Sequence, residues 1–291
     1  MTAANTSRPL PNRVRRGLRL LVCGINPSPA SAGAGIGYFR KGNRFWSAAL
    51  GAGLVSADRD PDHALRVDRV GFTDFVARVE ADASKLGTAE LREGAADVEA
   101  LVRQYKPGAV LFTSITAFRT AVDRRAPIGV QPLPFGGRPA YVMPSTSGRN
   151  ASTSLAQLTD HMRSAAQLAD TALAALANAK WCSVHGGVRG RFTETYWYAP
   201  RRTAEFHPDA VTLHPFVDAD AMLGRIDVSP GASVKDSFAA LNLSPYGFEV
   251  LLEGDWYRGD FGAKGTTDWF TRDEAPKETT RIAPMRVWIK P

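Results

Sequence analysis

The chain has 291 residues, 44% of them hydrophobic and 22% charged, a composition that buries a core and excludes disorder along its whole length. No apolar run reaches the roughly 18–20 residues of a membrane span, and the N-terminus lacks the apolar segment and cleavage site of a secretory signal. With only two cysteines, Cys23 and Cys182, a disulfide scaffold is excluded and a cytoplasmic setting is expected. The net charge of +7 is local: residues 1–57 hold eight cations and no acid, while the remainder carries 28 cations against 29 anions. A basic segment of this kind attracts polyanions, nucleic acid first among them.

Residues 1–17, rich in Asn, Pro, Ser and Arg, read as a flexible basic arm carrying Arg8, Arg13, Arg15 and Arg16. Leu18 to Cys23 is a buried strand ending at Gly24, and a loop of small residues follows from Asn26 to Gly42. Asn43 is placed to cap a helix containing Phe45, Trp46, Ala49 and Leu50. Thr88 caps a second helix in which Leu91, Ala95, Val98, Leu101 and Val102 share one face, and Pro107 and Gly108 stop it. Ala109–Phe112 and Ala140–Met143 are further strands, with a helical stretch at Thr116–Asp123 between them. A long helix runs from Ser152 to Ala179 with Leu155, Leu158 and Met162 on one face. Strands alternating with helices predict an α/β domain over 18–180 with a mainly parallel sheet. At Trp181 aromatics and glycines rise and the Ala-rich helices end. Residues 181–291 read as a smaller α+β domain with strands near Thr193–Tyr198, Gly247–Leu252 and Ile282–Ile289, and short helices at Asp218–Ile226 and Val234–Leu241.

Two loops at the carboxyl ends of strands carry the candidate chemistry, because ligands of open α/β sheets bind there. The first is Gly24-Ile25-Asn26-Pro27-Ser28, followed by Gly33-Ala34-Gly35-Ile36-Gly37-Tyr38. A dinucleotide fingerprint needs its first glycine directly after the strand and a helix opening on the last; Pro27 and Pro29 intervene here, so a nucleotide-cofactor enzyme is disfavoured. Asn26 offers a carbonyl acceptor that can hold a water by one of its protons. The second loop, Met143-Pro144-Ser145-Thr146-Ser147-Gly148-Arg149-Asn150, brings hydroxyls and a helix N-terminus suited to phosphate, plus an arginine long enough to reach into a duplex.

Gly24-Ile25-Asn26-Pro27, Asn43-Arg44-Phe45-Trp46 and Met143-Pro144-Ser145 through Ala151 together resemble the mismatch-specific uracil/thymine-DNA glycosylases, the Mug and thymine-DNA glycosylase branch of the uracil-DNA glycosylase superfamily. Gly71-Phe72-Thr73-Asp74, Leu91-Arg92-Glu93-Gly94 and Gly129-Val130-Gln131-Pro132 add matches in the same order, and the resemblance covers about residues 18–170. It implies a three-layer α/β/α fold with a short parallel sheet, and removal of uracil from mismatched double-stranded DNA by N-glycosidic hydrolysis without cofactor or metal, in a nucleoid-associated protein. On this pattern Asn26 positions the attacking water, and Tyr38 stacks on the flipped base. Backbone amides near Ile25 and Tyr38, in the pocket that begins at Gly24, bind the pyrimidine oxygens. Arg149 holds the wedge position, with Ser145, Ser147 and Gly148 in the phosphate loop. The chain departs from the pattern at Ser28, where glycine is usual, and at Thr113-Ser114-Ile115, where Gly-Lys is common. Ser31 stands where thymine-active members carry a smaller residue, which favours uracil over thymine. The alternative is a DNA-binding module that kept the fold and lost turnover.

In the C-terminal region Cys182, His185, His207 and His214 lack paired zinc-ligand spacing, and no metal is expected. Trp181, Tyr196, Trp197, Tyr198, Trp256 and Tyr257 with Arg189, Arg191, Arg201 and Arg202 suit either a stacking surface for single-stranded nucleic acid or, preferred, a buried α+β core. A protein or other partner is the expected ligand of this domain.

Overall fold

A computed structural model of the chain describes residues 9–260, 266–271 and 279–291; Arg8 lies outside them. The chain divides into two compact units, Met1–Ala169 and Asp170–Pro291, so the division falls within the last long helix and not at residue 181.

The first unit is built on a five-stranded sheet. Its strands are β1 (Leu20–Gly24), β2 (Val70–Asp74), β3 (Ala109–Phe112), β4 (Gly129–Val130) and β5 (Ala140–Val142), in the order β2-β1-β3-β5-β4. All pairs are parallel except β4 with β5. Strand β1 is buried throughout, which is why it reads as one continuous apolar run. Because β2 and β3 lie on opposite sides of β1, the chain reverses direction across the sheet there. A crevice therefore opens at the carboxyl ends of these strands.

The helices of this unit are α1 (Pro29–Ala34), α2 (Phe45–Gly51), the short α3 (Pro61–His63), α4 (Thr88–Tyr105), α5 (Ile115–Ala121) and the first half of α6 (Leu155–His185). Leu91, Ala95, Val98 and Val102 of α4 pack on Leu21, Val110 and Phe112, each large side chain contributing about 1.5–3 kcal/mol. Gly94 permits this approach, because a Cβ there would collide with the Phe75 carbonyl. Thr88 proves to be the first helical residue and Gly87 the cap. The helix ends where Lys106 turns left-handed, at φ 51°, ahead of Pro107. Ser154 and Gln157 bond to each other's backbone amides at the start of α6, a reciprocal cap that starts the helix later than Ser152. Leu158 and Met162 are buried as expected, whereas Leu155, in the first turn, is 44% exposed.

The expected flexible arm is not free over residues 9–17. Arg13 exchanges both backbone hydrogen bonds with Phe72 (2.9 and 3.0 Å) and pairs with Asp62, and Arg15 donates to the Leu65 carbonyl at 3.1 Å. These arginines are tied into the fold because β2 offers an open edge next to them.

The second unit holds a seven-stranded sheet in the order β11-β10-β12-β9-β8-β7-β6. Its strands are β6 (Arg191–Phe192), β7 (Tyr196–Tyr198), β8 (Ala210–Thr212), β9 (Ser233–Asp236), β10 (Glu249–Asp260), β11 (Thr266–Thr271) and β12 (Thr279–Ile289), with helix α7 (Ala219–Leu223) after β8. Only β8 with β9 is parallel. Residues 234–236 are thus strand, not the expected helix. They pair with β8 and β12, and that pairing outweighs the helical spacing of Val234, Phe238 and Leu241. Tyr196, Trp197, Tyr198, Trp256 and Tyr257 are buried, as the core reading expects. Trp181 stays half exposed and stacks on His207 at 4.7 Å. Cys182 is buried with Ala179 and Trp197, apart from His185, which also lies against Trp181. His214 is buried, and its Nδ1 accepts from the Phe216 amide at 3.1 Å.

Candidate active site

The crevice holds a cavity of about 180 Å³, below the roughly 300–1,000 Å³ of clefts that take drug-sized ligands. Four strand ends contribute to it: Asn26 after β1, Asp74 at the end of β2, Thr113 after β3 and Ser145–Ser147 after β5. Leu10 to Arg13 form a further wall, which reading those residues as a loose arm concealed. Asn12 belongs to it and accepts from the Thr73 hydroxyl at 2.7 Å.

Asn26 is held on both sides. The loop around it continues to bond the chain after β2, through Phe75, Val76 and Glu80 amides donating to Gly24, Ile25 and Pro27 carbonyls. Its side-chain nitrogen donates to the Pro27 and Glu80 carbonyls at 3.0 and 2.8 Å. Both partners are acceptors only, so the orientation of the amide is fixed. The carbonyl oxygen Oδ1 is left without a partner among the described residues.

Gly24, expected in the pocket, is not itself part of the cavity lining but lies against two residues that are. A Cβ there would collide with the Asp74 carboxylate and stand 3.0 Å from the Tyr38 hydroxyl. Tyr38 has left-handed backbone, φ 60°, and this strained turn aims its ring into the cavity. One face of the ring stacks on Phe45 (centroids 4.1 Å, planes 14° apart), and its hydroxyl lies 3.1 Å from Thr113 Oγ1. Thr113 opens the Thr113-Ser114-Ile115 stretch that departs from the expected Gly-Lys pattern. Ser114 caps α5 by accepting from Ala117 N, and Ile115 packs on the core. The other departure is explained in the same way. Ser28 has φ −76° and caps α1 through Ser31 N, so no glycine is needed. Ser31 lines the cavity, but its hydroxyl is occupied by Ser28 Oγ and the Phe39 amide.

The loop after β5 is internally braced. Ser145 Oγ accepts from Ser147 N, and Ser147 Oγ from Arg149 N. Gly148 sits where a Cβ would press within 2.8 Å of the Gly42 carbonyl. The Arg44 guanidinium, which sequence reasoning counted toward a basic surface, is instead a clamp on this loop. It donates to the Asn150 and Thr153 carbonyls at 2.6 and 2.5 Å. Arg149 projects at the loop tip with its side chain 64% exposed and Asp82 at 3.5 Å.

Asp74 is the residue that sequence reasoning passed over. Its carboxyl lines the cavity and has neither hydrogen-bond nor ion-pair partner among the described residues. Burial raises it from 3.8 to about 7. Burial, reinforced by the Asp74 charge, also pushes the Cys23 thiol and the Tyr38 phenol well above their ordinary values. The only trace of Asp74 in the sequence was its place in Gly71-Phe72-Thr73-Asp74; its enclosure comes from Gly24 and Tyr38, distant in the chain.

A solution structure of a candidate uracil DNA glycosylase from Methanosarcina acetivorans is 21% identical, with a TM-score of 0.40, over 56% of this chain and 98% of that one. The family profile of the Uracil DNA glycosylase superfamily matches residues 11–169, more than half of the chain and all four strand ends of the cavity. The chain belongs to the uracil DNA glycosylase superfamily.

Proposed function

We propose that the chain is a mismatch-directed DNA glycosylase of the uracil/thymine type, hydrolysing the N-glycosidic bond of a uracil flipped from a G·U pair. The observation that carries this reading is Asn26, clamped through its nitrogen with its carbonyl oxygen left to orient a water. An amide accepts no proton near neutrality, so Asn26 positions the water and does not activate it. The C1′–N1 bond must then be largely broken before attack. Its electron pair leaves on the uracil, the water oxygen bonds to C1′, and the water proton passes to solvent. Charge on the departing base falls to the backbone amides near Ile25 and Tyr38. Phe45 backs one face of Tyr38, leaving the other for the base. Arg149, at the tip of a braced loop, fills the gap in the duplex.

The test is excision by the full chain from G·U, A·U and G·T duplexes and single-stranded uracil, with alkali revealing abasic sites. G·U should be cleaved fastest. Tight G·U binding with no abasic product would leave a binding module without turnover.

A further inference from the structure

We propose that Asp74 reads the edge of the base in this cavity and does so only as a protonated carboxyl, so that the site takes bases presenting an adjacent N–H and C=O and loses them when Asp74 ionises. The proposal rests on the reading that a nucleobase enters the cavity, and it adds the class of base and its proton dependence.

The geometry is that of an unpartnered carboxyl in the lining of the cavity. Asp74 ends β2 directly beside Gly24, its register partner on β1. The glycine is what admits the carboxylate, since any Cβ would strike it. The facing groups are few. Cys23 comes from β1, Tyr38 from the turn before α2 and Thr113 from the end of β3, and the Thr113 hydroxyl is engaged with Tyr38 and the Cys23 carbonyl. Both titratable neighbours are acids held neutral by burial. The charged groups lining the same cavity lie elsewhere. Arg13 is paired with Asp62, Glu80 with Arg78, and Arg40 is exposed on the wall. No cation is bonded to Asp74 to hold it ionised, and burial places its transition at about 7.

A protonated carboxyl offers one donor and one acceptor side by side; a carboxylate offers acceptors alone. The N3–H and O4 of uracil, or N1–H and O6 of hypoxanthine, match the first and oppose an oxygen to an oxygen in the second. A buried unmatched pair of this kind is costly. An asparagine amide would present the protonated pattern at every pH. Aspartate therefore makes recognition conditional on a proton.

The experiment compares single-turnover excision from a G·U duplex by the full-length parent, Asp74→Asn and Asp74→Ala between pH 5.5 and 9. The parent rate should fall about tenfold per pH unit above its transition near 7. In Asp74→Asn that fall should disappear, and in Asp74→Ala the rate should be low at every pH. An identical pH slope in the parent and Asp74→Asn overturns the proposal. So does an Asp74→Ala rate equal to the parent's at low pH. A second measurement needs no excision: difference infrared spectra of the full chain across pH, with and without millimolar free uracil, assigned by the band that Asp74→Asn removes. Uracil should shift the protonated carboxyl band to higher pH; a band unmoved by uracil overturns the proposal. If no variant excises at any pH while uracil moves the band, the glycosylase reading fails and the assignment of Asp74 stands.

Discussion

Asp74 in the first unit and Asp209 in the second are both recessed carboxylates, and their surroundings are opposite. Asp209 is 1% exposed and accepts from Thr203 N and Oγ1, Ser233 N and Arg202 at 2.9–3.1 Å. Asp236 in the same unit likewise accepts from the Leu241 amide at 2.7 Å. Asp74 has no such donors. A carboxylate saturated by backbone amides ties a loop to a strand and is frame. One left unsatisfied in the lining of a cavity costs stability in the resting fold and keeps its bonding capacity for something else. The difference separates frame from site without any appeal to motif.

The predictions divide along that line. The largest effect is expected at Asn26. Asn26→Ala should lower uracil excision on the order of 10²–10⁴-fold while G·U binding, supplied by phosphate contacts, is retained; excision within threefold of the parent would remove it from the mechanism. Next is Asp209→Ala. Stripping the acceptor from buried donors should cost about 3 kcal/mol in chemical denaturation, and excision should persist wherever the chain is still folded. A loss under 1 kcal/mol, roughly one net hydrogen bond, would mean the network is not frame. Arg149→Ala should slow excision about tenfold, the equivalent of 1.4 kcal/mol, on duplex and spare single-stranded uracil, which has no gap to fill; equal losses on the two substrates would count against a wedge.

The remaining effect is thermal. Asp74 has its folded value raised from 3.8 to about 7. Between those values the folded chain keeps a proton that the unfolded chain has lost, so stability drains away as pH rises and the loss is complete above 7. Asp74→Asn should therefore melt about 10 °C higher than the parent at pH 8, with the gap closing toward pH 4. A gap independent of pH would show that Asp74 does not titrate in this window.

Much of the first unit was legible because its signals are local. The apolar runs of β1, β3 and β5 and the spaced face of α4 follow from residues adjacent in the chain; Asn43 bonds the Phe45 amide at 2.9 Å, but the cap position itself falls on Arg44, one residue later than expected. Strand β2 was recognisable only as a motif, since Gly71, Thr73 and Asp74 dilute its apolar pattern. Strand β9 hides two charged residues, Lys235 and Asp236, both buried. Only its pairing with β8 and β12 explains why such a segment is extended. Of the residues the resemblance pointed to, Asn26 and Tyr38 do line the cavity, whereas Arg149 lies outside that lining. Asp74, the Arg44 clamp and the wall at residues 10–13 were not legible, because each acquires its part from a neighbour dozens of residues away.

That wall has a consequence for how the protein behaves at concentration. β2 is the outer strand of the first sheet, and Arg13 occupies both the amide and the carbonyl of Phe72. An uncovered strand edge invites the edge of another molecule, and here the chain has put its own backbone in that place. A version shortened to begin at β1 would present Phe72 as an open template. Its failing would be self-association, seen in light scattering, long before any defect in chemistry could be measured.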